Sequence, residues 1–286
     1  MRKSIFEIVS ENVNIENETE RIIDMSKYEK TLCVQSNSYF TLFDYVDNYC
    51  FNEWEQRGHF VDVDDFLNAL DFDDLEHRAT YDEESLLTLI ELVYNFWNLS
   101  EQDLENDDLG FKLQWCGNYY HLKNVMDDIL NQYNHKVYAD EDNNCIFVIE
   151  DKEEVTAVVE ILPSVLATKV IKYNHRSLKG EIGLKKEILI ALGSELEPLR
   201  KKLKELNGTM EDTIFFMLNS LNLRHNNCNV EDKAKYKKYV ADMTDIELEE
   251  YYDELYQMIL LAFLLLDNVD RSNKMKALKD NIVGTK

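Results

Sequence analysis

The chain has 286 residues, with 31 Lys+Arg against 56 Asp+Glu for a formal charge of −25, and 45% of its residues are hydrophobic, a composition that folds around a core. Eight Gly and two Pro are too few to punctuate the tight turns of a sandwich or barrel, so an all-β architecture is all but excluded and long helices with short connections are expected. The acidity is uneven: residues 1–162 hold 11 Lys+Arg and 37 Asp+Glu, whereas residues 163–286 hold 20 and 19, which fits either a solvated acidic face or an acidic interaction region ahead of a working region of ordinary charge.

Met1-Arg2-Lys3 is followed by polar and acidic residues rather than by the apolar stretch of a secretory leader, so no leader is expected. Thr19 to Met25 reads as a short helix packed through Ile22, Ile23 and Met25. From Tyr39 to Trp54, apolar residues recur at Phe40, Phe43, Val46, Tyr49 and Cys50, a helical spacing of three and four. Asp62 to Asp65 then opens a second helix through Phe66, Leu67 and Leu70, with its carboxylates at the end that favours negative charge. A Ca²⁺ loop counted from Asp62 fails, because Leu67 stands where the turn glycine is needed and Asp73 where the bidentate Glu is needed. Thr80, with Glu83 three residues on, predicts the cap of a helix carrying Leu86, Leu89, Ile90, Val93 and Trp97; Ser100 and Asp103 suggest the cap of a further short one.

Residues 119–132 have a helical face of Tyr120, Leu122, Val125, Met126 and Ile129. His135 to Ala139 and Cys145 to Glu150 are β-prone runs around an acidic tip and predict a hairpin. Helical patterns fill the rest: Glu154 to Lys172 split at Pro163, and Leu184 to Leu206 broken near Pro198 and stopped by Asn207-Gly208. Next come Met210 to Leu223 behind Thr209 and Asp212, and a final helix from a Thr244/Glu247 capping box to Asp267, with a fraying basic tail after Arg271. The longest apolar run, Met258 to Leu266, is about half of what a membrane-spanning helix needs. With Tyr251, Tyr252 and Tyr256 it gives this helix more apolar surface than one stripe requires, so homodimerisation is expected alongside burial within the monomer.

Gly-rich phosphate loops, H-E-x-x-H and G-x-S-x-G are absent from the sequence. Five scattered cysteines and six dispersed histidines have no metal-ligand spacing, so no metal or cofactor is expected, and a reducing cytoplasm is the expected location. Two polar stretches stand out. In Tyr173-Asn174-His175-Arg176-Ser177-Leu178-Lys179-Gly180, Arg176 and Lys179 are suited to phosphate oxygens and His175 to moving a proton, although a helix C-terminus also attracts such residues. In Leu223-Arg224-His225-Asn226-Asn227, an Arg can stabilise a phosphorane, a His can exchange a proton, and an Asn can hold a hydroxyl or phosphate. The same stretch also suits an Asn-rich helix-terminating loop.

These stretches, with the Lys-rich helix after Gly180 and Glu249-x-Tyr251-Tyr252-Asp253 before the terminal apolar helix, resemble bacterial abortive-infection-type proteins with a HEPN-like C-terminal helical domain. The resemblance covers about residues 119–286. The residue patterns give a mainly α protein with an acidic helical N-terminal region over 1–118 and one small hairpin, and the resemblance implies a HEPN-like helical bundle with that hairpin over 119–286. It also implies a phage-defence effector that dimerises and binds RNA, cleaving it without metal. On this reading Arg224, His225 and Asn226 are catalytic, and His175, Arg176, Lys179 and Asn227 bind substrate. The family motif places a second His four to six residues beyond its Arg-polar pair, where this chain has Asn229, Val230 and Glu231. The alternative is a non-enzymatic protein whose acidic N-terminal region meets a protein partner or mimics nucleic acid on a dimeric helical scaffold.

Overall fold

In the computed structural model, which describes residues 14–34, 38–72, 81–105, 113–140 and 143–284, local capping decides where most helices start. The Asn14 side chain accepts from Asn17 N at 3.1 Å and opens α1 (Ile15–Lys27), which buries Ile22, Ile23 and Met25. Three short strands follow the order β2-β1-β3: β1 (Leu32–Val34), β2 (Ser38–Phe40) and β3 (Leu113–Trp115), all antiparallel. Leu32, fully buried, stands opposite Phe40 on one side and Trp115 on the other. This sheet corrects the expectation of a single hairpin. Tyr39 and Phe40 belong to β2 and not to a helix, because three-residue strands are too short for their alternation to register.

The helical path starts at Thr41, whose side chain accepts from Asp44 N at 3.0 Å. It runs as α2 (Leu42–Tyr45), a π turn over Val46–Cys50 and a 3₁₀ turn over Phe51–Glu53. Asp62 accepts from Asp65 N at 2.7 Å and caps α3 (Val63–Ala69), so this carboxylate run starts a helix as expected. Thr80 lies outside the described residues; Asp82 accepts from Ser85 N at 2.9 Å at the start of α4 (Glu83–Glu105). Ser100 is inside α4, its hydroxyl donating to Phe96 O at 2.9 Å, and opens no helix of its own. Next come α5 (Tyr119–Gln132) and the expected hairpin of β4 (His135–Asp140) and β5 (Cys145–Glu150), paired from His135↔Glu150 to Asp140↔Cys145.

The chain divides into two compact units, Met1–Glu150 and Asp151–Lys286. The division falls after the hairpin rather than at 118/119 for a physical reason. The Asn95 side chain on α4 donates to Ile146 O at 2.8 Å and accepts from Ile146 N at 2.9 Å, and Glu91 accepts from Val148 N at 2.6 Å. Two side chains of α4 thus satisfy the outer edge of β5 as a neighbouring strand would, and Met126 of α5 and Val148 of β5 join the core of the first unit. By this division 10 Lys+Arg and 33 Asp+Glu fall in the first unit, and 21 and 23 in the second.

The second unit is helical: α6 (Glu153–Val159), α7 (Ser164–Tyr173), α8 (Ile182–Leu196), α9 (Arg200–Leu206), α10 (Gly208–Ser220), α11 (Lys238–Ala241) and α12 (Asp245–Gly284). Pro163 stands at the N-cap position of α7 and Pro198 in the turn Glu197–Leu199, so both prolines divide helices where expected. Asn207, not Thr209, caps α10 by accepting from Met210 N at 3.1 Å. The Thr244/Glu247 capping box forms in both directions, at 2.9 and 3.3 Å. The residues after Arg271 are helical: α12 continues to Gly284 with its last turns exposed. Tyr252, Tyr256, Ile259, Leu260, Ala262, Phe263 and Leu266 are buried within the unit, while Tyr251 and Leu261 stay exposed. Among the described residues no helix is long and apolar enough to cross a membrane.

Helices α8 and α10 meet at Gly193, where a Cβ would lie 2.7 Å from Cδ1 of Leu218. Leu218 is fully buried and has little room to retreat. Gly193→Ala is therefore expected to destabilise the protein by about 1 kcal/mol, because overpacking outweighs the better helix propensity of Ala. A urea midpoint that rises instead would show that the helices can separate at no cost.

Candidate functional site

The segment between α7 and α8 is shaped by its own side chains. After Asn174 closes α7, His175 caps the one-turn 3₁₀ helix Arg176–Leu178: its Nδ1 accepts from Ser177 N at 3.3 Å and lies 2.7 Å from Ser177 Oγ. By accepting from the Ser177 amide, Nδ1 serves the turn itself, so this ring nitrogen has a structural part in shaping the segment. Gly180, at φ +82°, turns the chain into α8.

This turn forms one wall of a cavity of about 230 Å³. His175, Arg176 and Lys179, singled out in the sequence, line it together with Lys152 and Lys185; Asp253 and Gln257 contribute from α12. Lys185 is buried at 5% exposure. Its ammonium lies 2.7 Å from both Glu249 Oε1 and Asp253 Oδ1 and 5.1 Å from the Tyr173 ring centre. The Tyr173 hydroxyl donates to Asp253 at 2.9 Å, its ring stacks on Tyr256 at 3.9 Å, and Gly180 N donates to Glu249 at 2.8 Å.

Electrostatics follow from this packing. Burial pushes up the Tyr173 phenol and the Asp253 carboxylate pushes it further, so it stays a hydrogen-bond donor. Burial also raises Glu249, but the hydrogen bonds from Lys185 and Gly180 and the charges of Lys185 and Lys179 outweigh it and hold the carboxyl below its usual range. Lys185 is thus spent on structure. Lys152, Arg176 and Lys179 also line the cavity and bring positive charge to it.

The second stretch is elsewhere. Arg224 binds Glu197 Oε2 at 2.7 Å, donates to Gly193 O at 3.2 Å and lies 5.7 Å from the Phe215 ring centre. Gly193 and Lys185 are eight residues apart on α8, about 12 Å along its axis. The His225 Nδ1 is 3.1 Å from Lys235 Nζ. Asn226 Oδ1 accepts from Cys228 N at 3.2 Å, an Asx turn. Asn227, 1% exposed, accepts from Asn222 N at 2.9 Å and donates to Lys235 O at 2.8 Å, and its own carbonyl accepts from Lys237 N at 2.8 Å. Arg224, His225 and Asn226 do not line the cavity of His175, Arg176 and Lys179, so the residues assigned catalysis and those assigned substrate binding do not share this cavity within one chain. Asn227 is a loop-pinning residue rather than a substrate ligand, because both ends of its amide are taken up by backbone.

The position of Arg224 just beyond an apolar helix suggests a residue with little part in packing, but its ion pair and ring contact join α10 to the turn after α8. Lys152 is a cavity residue that motif reading passes over, and Glu249 and Asp253, which enter that reading only for the resemblance, have no part in its site. The i, i+4 spacing of Glu249 and Asp253 puts both on one helix face and was the available signal. Among the described residues no group of three His, Cys, Asp or Glu side chains is placed to hold a metal ion. No protein-family model, curated protein or solved structure matches the chain.

Proposed function

We propose that the chain is a phage-defence protein of the abortive-infection kind whose second unit, HEPN-like in its helical arrangement, binds RNA. The observation that carries this reading is the gathering of His175, Arg176 and Lys179, with Lys152, around one cavity in a unit of nearly balanced charge. A planar guanidinium and two ammonium groups suit the oxygens of a phosphodiester, and Gln257, which lines the cavity from α12, suits a sugar or base group. The geometry favours binding over cleavage. In one chain the Arg224 guanidinium is held by Glu197 and His225 lies beside a lysine, neither at the cavity; cleavage would need them brought to the RNA in another way, such as by a dimer mate.

The test is anisotropy of a labelled single-stranded RNA titrated with the full chain. Arg176→Ala/Lys179→Ala is expected to weaken binding about tenfold or more and to flatten its salt dependence by about 1.4 in log–log slope, two phosphate contacts' worth. Any cleavage in the same samples is expected to persist in EDTA and to fall about a hundredfold in His225→Ala. Unchanged affinity in the double variant would sink the cavity assignment. The acid-rich first unit supports a second reading, a protein-binding or nucleic-acid-mimicking surface with no RNA chemistry; absence of RNA binding by the full chain would favour it.

A further inference from the structure

We propose that the loop joining α10 to α12 is a second contact surface for a single nucleic-acid strand, with lysines taking phosphates and Tyr239 taking a base. The inference rests on the RNA-binding reading but on different residues. Residues 231–239 carry Lys233, Lys235, Lys237 and Lys238 against Glu231 and Asp232, in a chain of formal charge −25. All four lysines are exposed. Tyr239, directly after them, is 72% exposed, and it lies beside Tyr251, itself 43% exposed. A phenol ring of that exposure offers both solvent and stacking partners a π-face, and lysines interleaved with such rings are the elements of a sequence-tolerant single-strand site.

The loop is also built to hold these groups in place. Asn227 binds the carbonyl of Lys235 and the amide of Lys237, and the amides of Lys235 and Tyr236 donate to Asp232 O at 3.0 and 2.8 Å. The backbone beneath the lysines is therefore tied at four points, which lowers the ordering cost of binding. Carboxylates do face the platform, Glu247 and Glu250 lying beside Tyr251. They disfavour a strand running toward the start of α12 and favour one running along the lysines toward His225, which contacts Lys235 at 3.1 Å. A duplex hides its base faces from an aromatic side chain, so the ligand this surface fits is single-stranded.

The experiment is a salt series of anisotropy titrations of the full chain with a labelled oligouridylate of about twelve nucleotides, the length of an ordinary single-strand site, and with a duplex of equal length. Lys235→Ala/Lys237→Ala/Lys238→Ala is expected to weaken single-strand binding at least tenfold and to reduce the log–log salt slope by about two. Tyr239→Ala is expected to weaken it about tenfold with the slope unchanged, and Tyr239→Phe to restore it, because the ring and not the hydroxyl stacks. Circular dichroism of each variant should match the parent. Full affinity in the loop variants, with loss only in Arg176→Ala/Lys179→Ala, would overturn the loop and leave the cavity standing; the reverse pattern would support the loop and remove the cavity. No binding by the parent chain would overturn both. Displacement of the oligonucleotide by poly-glutamate at equal charge, with Tyr239→Ala silent, would make the loop a general polyanion contact and overturn the proposal.

Discussion

Lys185→Met is expected to cost about 2–3 kcal/mol of stability at neutral pH. Removing one member of a fully buried ion pair costs roughly 3–5 kcal/mol, because the partner is left charged without compensation. Here Glu249 is largely buried, but Asp253 is about half exposed and water takes over part of its solvation, which lowers the figure. Methionine keeps the stem's volume, so a urea midpoint close to the parent's would show that the three charges contribute nothing net. The pH dependence gives a second, independent readout. The folded-state pKa of Glu249 is depressed, so its contribution is fully present above the unfolded value, near 4.3. That contribution is lost as pH falls through the lower folded value. The stability gap between parent and Lys185→Met should therefore narrow as the solution is acidified below about pH 4.3; a gap constant across that window would refute the assignment of the shift to Lys185.

Asn227→Ala is expected to cost about 2–3 kcal/mol and, separately, to weaken RNA binding although Asn227 is 1% exposed and offers no atom to a ligand. Its side-chain amide serves Asn222 N and Lys235 O at once. Truncation leaves a backbone donor and a backbone acceptor without partners in a part-buried loop, the condition under which a lost hydrogen bond costs most. Asn227→Asp keeps the acceptor for Asn222 N and loses the donor to Lys235 O, so its stability should fall between the two. Loosening Lys235 would carry over to the lysine surface as a loss of affinity with an unchanged salt slope, since no phosphate contact is deleted. An Asn227→Ala protein as stable as its parent, or one that binds RNA equally well, would contradict the pinning role.

What could be read from the sequence alone is what is encoded within a turn or two of chain. Asp62, the Thr244/Glu247 box, the breaks at Pro163 and Pro198 and the hairpin of residues 135–150 are of this kind, because a cap, a ring-locked φ or a β-prone run acts on immediate neighbours. So is the gathering of His175, Arg176 and Lys179, which one short turn holds on one wall. What only the tertiary structure decided depends on partners distant in sequence. Strand β1 finds β3 some eighty residues later, and Asn95 and Glu91 reach across to β5 and draw the hairpin into the first unit. Glu197 claims Arg224 before any substrate can, and Glu249 and Asp253 claim Lys185. An Arg, a Lys or an Asn has the same chemistry in a ligand site as in a structural contact; which role it takes is settled by the groups that packing brings within hydrogen-bond reach, and the local sequence carries no record of them.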